Sequence, residues 1–269
     1  MKRPRYGFTV VEVMIVLAIS SMMLISAAGV FRGRRADTEF SQSVYDLQSE
    51  IQSIASIVSS KAVPGLQQYT CAPGDIGGTK RPVLTSGSAT GQDCIYLGQA
   101  IQVKPDSTTL YSYPIFGLRT VYVGLTDTGD YPTTPSQANP EPAVDSGAPS
   151  NPNSLLLITN YTLLNGAKVS SAKYTGTEND ILTLYSSLRD TNTSGNEISV
   201  SAMSYSGAAT DPKAQMKDCI EGNGCPAQGN SITDSAWKLC VTDDTRLAQI
   251  NVRGTPTGIS TTITMGSCP

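Results

Sequence analysis

The chain has 269 residues, of which 39% are hydrophobic and 15% charged, and its formal net charge is −3. This length is sufficient for a membrane helix and one sizeable globular domain. The chain contains no His, so it lacks the commonest general base and the commonest metal ligand. The sequence also has no phosphate-binding Gly loop, no Gly-x-Ser-x-Gly motif and no Cys–His pair, so we expect a non-enzymatic protein without catalytic residues or a cofactor.

The N-terminal stretch is a long apolar segment behind a short basic head. Apolar residues run from Phe8 to Phe31 after Lys2, Arg3 and Arg5, and Glu12 is the only charged residue among them. As a helix this segment would rise about 36 Å, enough to cross a hydrocarbon core of about 30 Å. A carboxylate at that depth costs about 2.5–3.5 kcal/mol on the insertion scale, so Glu12 is expected to have a function. The pattern predicts a membrane-spanning helix over residues 8–31.

The residues around the start of this segment carry a resemblance. A basic leader ends in Gly7, and Phe8-Thr9-x-x-Glu12 then opens the apolar helix. Over residues 7–19 this resembles the N-terminus of type IV prepilins and the related pseudopilins. The resemblance implies a leader peptide, residues 1–7, which a membrane prepilin peptidase removes by cutting between Gly7 and Phe8. It also implies N-methylation of Phe8 and pairing of Glu12 with an N-terminal amine during assembly.

Three other interpretations of the segment compete with this one. An ordinary secretory signal peptide would be cut after Ser26-Ala27-Ala28, but its apolar region would be too long and would contain Glu12. A plain membrane anchor would tolerate Glu12 near the membrane interface. The unbroken apolar run disfavours the buried helix of a soluble protein. Positive residues flank the segment on both sides, so their distribution does not fix its orientation, and the resemblance alone places the head in the cytoplasm.

The helix is predicted to continue through residues 32–63 as an amphipathic second half. Its apolar residues recur at spacings of four and three, which forms one stripe on a helix. These residues are Phe40, Val44, Leu47, Ile51, Ile54 and Val58. Pro64-Gly65 is expected to end the helix. The resemblance implies a pilin in which this half packs on a sheet while the apolar half packs on other subunits.

Residues 64–269 are predicted to form an exported β-rich domain. Residues 66–91 read as loop, and residues 127–153 hold six Pro in a polar context that should not contribute to a core. This Pro-rich loop is interpreted as a surface insertion, or alternatively as an exposed loop that meets a host surface or a neighbouring subunit. Ile95, Leu97, Ile101 and Val103 mark a strand around Gly98, a candidate bulge.

Further strands are predicted along the rest of the domain. Pro114 argues against a central position for the strand that contains it. The last three strands alternate well and should form a meander. The predicted strands are 109–116, 119–124, 154–160, 180–188, 197–205, 237–242, 247–253 and 259–265. The segment from Lys238 to Ile250 also weakly resembles the C-terminal strands of some minor pilins and pseudopilins.

Six Cys in an exported domain indicate disulfides, although six permit 15 pairings. We favour Cys71–Cys94, Cys240–Cys268 and Cys219–Cys225. The spacing offers no Cys-x-x-Cys pair for zinc. A weak calcium candidate begins at Asp190 and Asn192, but Ser201 stands where the closing Glu would be, and a turn explains these residues better.

The predicted fold class is α+β, with a long N-terminal membrane-spanning helix packed on an antiparallel β-sheet domain. The resemblance implies a structural subunit of a type IV pilus or pilus-like filament, a minor pilin because the domain is large for the family. Its expected partners are other pilin subunits, the prepilin peptidase, the membrane and the assembly machinery. It is expected in the bacterial cytoplasmic membrane first and in a surface filament afterwards. The alternatives are a type II secretion pseudopilin and a membrane-tethered DNA- or surface-binding protein, although nucleic acid is disfavoured by the acidic balance and scattered Lys and Arg.

Overall fold

The computed structural model describes residues 9–61, 69–87, 93–143, 157–178, 180–186, 188, 200–205, 230–231, 235–255 and 258–268. The chain separates into two compact units, Met1–Gln42 and Ser43–Pro269. One long helix, α1 (Val10–Ser60), contributes residues to both units. The second unit adds antiparallel sheets, so the predicted α+β class is confirmed.

The second half of α1 buries the stripe that the sequence predicts. Its six members are all between 0 and 5% exposed: Phe40, Val44, Leu47, Ile51, Ile54 and Val58. The acidic residues Asp46 and Glu50 lie at its margins, partly exposed. The helix ends at Ser60 because Lys61 adopts a left-handed backbone conformation, with φ of 54°.

Sixteen strands follow the helix within the described residues, and they form two large sheets and two small hairpins. The strands are β1 (Tyr69–Ile76), β2 (Thr79–Ser86), β3 (Cys94–Val103), β4 (Thr109–Leu118), β5 (Tyr122–Val123), β6 (Thr126–Asp127), β7 (Glu141–Pro142), β8 (Thr159–Thr162), β9 (Lys168–Tyr174), β10 (Thr177–Glu178), β11 (Ile181–Ser186), β12 (Val200–Tyr205), β13 (Asn230–Ser231), β14 (Trp237–Thr242), β15 (Leu247–Thr255) and β16 (Gly258–Met265). The larger sheet has the order β13-β12-β11-β3-β4-β7, with β8 also paired to β4. The other has the order β10-β9-β14-β15-β16.

The C-terminal meander is confirmed. Strands β14, β15 and β16 pair in sequence order, and their inward residues, such as Leu239, Ile250 and Val252, are fully buried. Strand β9, which the sequence analysis missed, adds to the free side of β14. Its polar residues Ser170 and Ser171 interrupt the apolar pattern from which a strand would be recognised.

The bulge at Gly98 is also confirmed, and the structure explains why glycine stands there. The register of β3 against β4 shifts between Tyr96 and Gly98. A Cβ atom at Gly98 would lie 1.8 Å from the carbonyl oxygen of Leu184 on the neighbouring strand β11. Only a residue without a side chain allows this approach.

The expectation that Pro114 excludes β4 from a central position is wrong. Strand β4 pairs with β3 on one side and with both β8 and β7 on the other. Pro114 falls between Ser112, the last residue paired to β8, and Ile115, the first paired to β7. The missing N–H therefore coincides with a change of neighbour, where the ladder on that side is already interrupted.

The Pro-rich stretch 127–153 differs from the expectation that it cannot contribute to a core. In its described part, residues 127–143, a short 3₁₀ helix (Ser136–Ala138) precedes β7. Ala138 is fully buried in one cluster with Leu97, Tyr113 and Tyr185. A Pro-rich segment packs here because small and rigid residues cover a sheet face at little cost in conformational entropy.

Residues 66–91 also differ from the loop that the sequence predicts. Strands β1 and β2 form a hairpin with eight paired residues on each strand. Its two-residue turn is Gly77-Gly78, and both residues have positive φ, 62° and 81°. A Gly-Gly pair between two extended runs is a hairpin signal, but the Pro and Thr content of the flanking strands obscured it.

The helix and the larger sheet enclose an apolar core in the second unit. Leu47, Ile51 and Ile54 of α1 lie beside Ile101 of β3 and Leu110 of β4. On the edge strand β16, Gln48 donates to both the backbone and the side-chain oxygen of Thr261, each at 3.0 Å. This contact satisfies part of an otherwise open strand edge.

Two disulfides lie among the residues that the structure describes. Cys71 of β1 is bonded to Cys94 of β3, and Cys240 of β14 is bonded to Cys268, with Cα atoms 5.7 Å apart in both pairs. These are two of the three pairings favoured from the sequence. The third, Cys219–Cys225, lies outside the described residues.

A buried ion pair joins the β1–β2 hairpin to the larger sheet. Arg81 lies 3.3 Å from Glu141, and their side chains are 11% and 0% exposed. Removal of one partner from a buried pair leaves the other charge unpaired in a low dielectric. This lowers the free energy of unfolding far more than removal of a surface pair does. We expect Arg81→Met to lower the free energy of unfolding by about 3 kcal/mol.

The matched control for this prediction is Asp244→Asn. It removes the exposed pair between Lys168 and Asp244, whose side chains are 28% and 77% exposed, and should cost no more than about 1 kcal/mol. Denaturant unfolding of the detergent-solubilised protein measures both variants. Equal costs would contradict the importance of the Arg81–Glu141 pair.

The turn between β14 and β15 should make stability depend on pH. Burial raises the pKa of Asp243, but hydrogen bonds from Arg246 and Thr245 outweigh it and lower this pKa from 3.8 to about 2. The stabilisation is therefore complete above pH 4 and is lost as the pH falls through 2. Asp243→Asn should cost up to about 2 kcal/mol at pH 7 and almost nothing near pH 2. Melting curves of both proteins from pH 7 to 2 test this, and a difference that does not change with pH would contradict it.

Candidate functional site

The candidate site is the first turn of α1 together with the leader junction that precedes it. Thr9 is the first described residue, and Glu12 lies within the first helical turn. The predicted cleavage and methylation residues, Gly7 and Phe8, lie outside the described residues. The weak calcium candidates Asp190 and Asn192 lie outside them as well.

Thr9 and Glu12 bond to each other reciprocally. The backbone N–H and the hydroxyl of Thr9 donate to Oε2 of Glu12, at 2.9 and 3.0 Å. The backbone N–H of Glu12 donates to Oγ1 of Thr9 at 3.3 Å. This is a capping box, in which a Thr before the helix and a Glu three residues later satisfy each other's backbone N–H groups.

The capping box has a particular value in an apolar environment. The first N–H groups of a helix have no partner within the helix, and lipid offers no water to replace one. The Glu12 carboxylate meets part of this need, and it also lies at the helix end where a negative charge is favourable. The capping box thus keeps the carboxylate of Glu12 hydrogen-bonded at the start of an apolar segment.

Thr9 is the site residue that sequence reasoning missed. The spacing Thr-x-x-Glu before an apolar run is a recognised signature of a helix N-terminus. The same residues also belong to the leader motif, which by itself does not indicate a local role for the Thr9 hydroxyl.

The helix that follows has the composition and length of a membrane span. The window Val10–Ala27 is apolar enough to cross a membrane, and none of it is buried within the structure. Val10, Met14 and Leu24 are each at least two thirds exposed. The hydroxyls of Ser21 and Ser26 donate to backbone carbonyls four residues earlier, at 2.7 and 2.9 Å. These bonds satisfy polar groups that lipid could not satisfy.

A polar segment follows the apolar span within the first unit. Arg34 is exposed, and Arg35 bonds to Glu39 one turn later at 2.8 Å. This pair is exposed to solvent, so it contributes little to stability. It places the boundary of the apolar span before residue 34.

The described residues do not assemble a metal site. Among them, no group of three or more His, Cys, Asp or Glu side chains is placed to hold an ion. The chemistry that the site offers is therefore that of one carboxylate, with its hydrogen-bond donors, at the start of an apolar helix.

Comparison with known proteins identifies a family motif over the same part of the chain. The family model described as the prokaryotic N-terminal methylation motif matches residues 2–28. Neither the curated proteins nor the solved structures give a match to the chain. The matched residues include the basic head, Gly7, Phe8, the capping box and the apolar span. Residues 2–28 thus carry the prokaryotic N-terminal methylation motif.

Proposed function

We propose that the chain is a structural subunit of a type IV pilus or pilus-like filament, and specifically a minor pilin. The observation that carries this proposal is the methylation motif at residues 2–28 at the head of one 51-residue helix. The first part of this helix is apolar on all sides, and its second part belongs to the folded domain. The minor role is supported by the size of that domain.

In this proposal each residue of the motif has a separate task. The prepilin peptidase cuts between Gly7 and Phe8, and Phe8 is then methylated on its new amino group. Glu12 pairs with the Phe8 ammonium of a neighbouring subunit. A charge pair in a low dielectric is strong when both groups are present, and leaving one of them alone is costly. Subunits that complete this pair are therefore favoured over isolated ones.

The subunit would first be anchored in the cytoplasmic membrane and later assembled with other pilins by a membrane machinery. The same motif opens the type II secretion pseudopilins, so that assignment is the second candidate. The genes adjacent to this one would separate the two. A membrane-tethered binding protein that never polymerises is the third candidate, and its absence from purified filaments would identify it.

Gly7→Val should block removal of the leader. A side chain at this position is expected to prevent cleavage, since Gly7 is the only residue of the leader without one. Full-length precursor should then accumulate in the membrane fraction, where an immunoblot resolves it from the mature chain. Arg5→Lys, which keeps the basic head, is the control and should be processed normally. Normal processing of Gly7→Val would contradict the assigned cleavage site.

Glu12→Gln and Glu12→Val separate the two roles that Glu12 can have. Gln retains an oxygen that accepts from Thr9 and so preserves the capping box, but it carries no charge. Val removes both the charge and the cap, and its insertion should be easier by about 2–3 kcal/mol. If pairing with a neighbour's ammonium is the function, both variants should be processed, remain in the membrane and be depleted from sheared filaments by at least about tenfold.

Quantification of the subunit in sheared filaments, relative to processed chain in the membrane, measures this depletion. Glu12→Asp is the control that keeps the charge, and it should lie between the wild type and Glu12→Gln. If Glu12→Gln enters filaments at the wild-type level while Glu12→Val does not, capping is the only role of Glu12. If all three enter normally, Glu12 has no role in assembly of this subunit.

A further inference from the structure

In the capping box, only one of the two oxygens of the Glu12 carboxylate accepts hydrogen bonds. Both hydrogen bonds that Thr9 donates go to the same oxygen, Oε2, at 2.9 and 3.0 Å. The third bond of the box, from the Glu12 backbone, goes to the Thr9 hydroxyl rather than to the carboxylate. The Thr9 hydroxyl therefore both donates and accepts, and it fixes the carboxylate relative to the helix axis.

The two oxygens of the Glu12 carboxylate therefore differ in their hydrogen bonds. Oε2 is held by the chain's own donors, whereas Oε1 takes part in none of the three bonds of the box. A carboxylate oxygen of this kind is suited to receive a charged donor, because the group is already oriented and its rotamer freedom is already lost. The cap also survives leader cleavage, since Thr9 retains its backbone amide when Phe8 becomes the first residue.

We propose that Thr9 is a positioning residue for assembly, whose hydroxyl holds Oε2 of Glu12 so that Oε1 meets the ammonium of the next subunit. This rests on the proposed function, in which that ammonium is the partner. Before assembly, the same hydroxyl reduces the cost of keeping an ionised carboxylate in lipid. Thr9 thus orients the Glu12 carboxylate before the ammonium of the next subunit binds to it.

The test compares Thr9→Val with Thr9→Ser. Val has nearly the shape of Thr but no hydroxyl, whereas Ser retains the hydroxyl. Incorporation into sheared filaments, relative to processed chain in the membrane, should fall about fivefold for Thr9→Val, because the carboxylate loses its fixed orientation toward the ammonium, an effect of the size of one hydrogen bond. It should stay within about twofold of the wild type for Thr9→Ser. Incorporation of Thr9→Val at the wild-type level would overturn the proposal.

A second comparison separates positioning from simple capping. In a Glu12→Gln background the cap remains but no charge is left to position. Adding Thr9→Val to Glu12→Gln should therefore lower incorporation no further. A fivefold loss in both backgrounds would mean that Thr9 only starts the helix, and would overturn the positioning role.

Processing and the proposed function are controlled separately. If Thr9→Val is not cleaved, Thr9→Ala replaces it, because the measure uses processed chain only. Absence of the wild-type subunit from filaments refutes the proposed function itself. Wild-type incorporation together with an unaffected Thr9→Val refutes only the role of Thr9.

Discussion

One helix must satisfy two different surroundings, and the rest of the structure follows from that constraint. Over Val10–Ala27 it is apolar on every side, and none of this window is buried against the residues that the structure describes. From Phe40 to Val58 it is apolar on one side only, and that stripe is buried. The change of pattern occurs without a break in the hydrogen-bonded backbone, because α1 runs unbroken from Val10 to Ser60. The sequence therefore encodes a membrane element and a core element in a single piece of secondary structure.

The strands of the folded domain make both apolar and hydrogen-bonded contacts with the second half of α1. Leu47 and Ile51 pack beside the central strands β3 and β4, and Gln48 bonds to the edge strand β16. Ala138 of the Pro-rich stretch packs on the face of the larger sheet that carries Leu97 and Tyr113. Strands β3, β4 and β11 have nearly continuous runs of buried residues, as expected of strands that are buried on both faces.

The parts of the structure that could be predicted are those with a single dominant signal. The helical stripe from Phe40 to Val58 and the alternation in β14, β15 and β16 depend on one period each, and they were recognised. The hairpin of β1 and β2 has a local Gly-Gly turn signal, but the Pro and Thr content of its strands obscured it. The packing of Ala138 depends on contacts distant in sequence. Composition alone, rich in Pro, Gly and Thr, indicated loops there. The position of Pro114 inside a sheet could not be predicted, because it requires knowing that β4 changes neighbour at that residue.

The candidate site was predictable as a motif but not as a geometry. Gly7, Phe8 and Glu12 were identified from the resemblance, while Thr9 gained its role only from the bonds that it makes with Glu12. The central claim is that this N-terminus is processed and then carried into a filament. Intact-mass spectrometry of the subunit recovered from filaments sheared off cells tests it most directly. The account predicts a chain that begins at Phe8 and bears one added methyl group, whereas a chain that begins at Gly29, or one found only as full-length protein in the membrane, would contradict it.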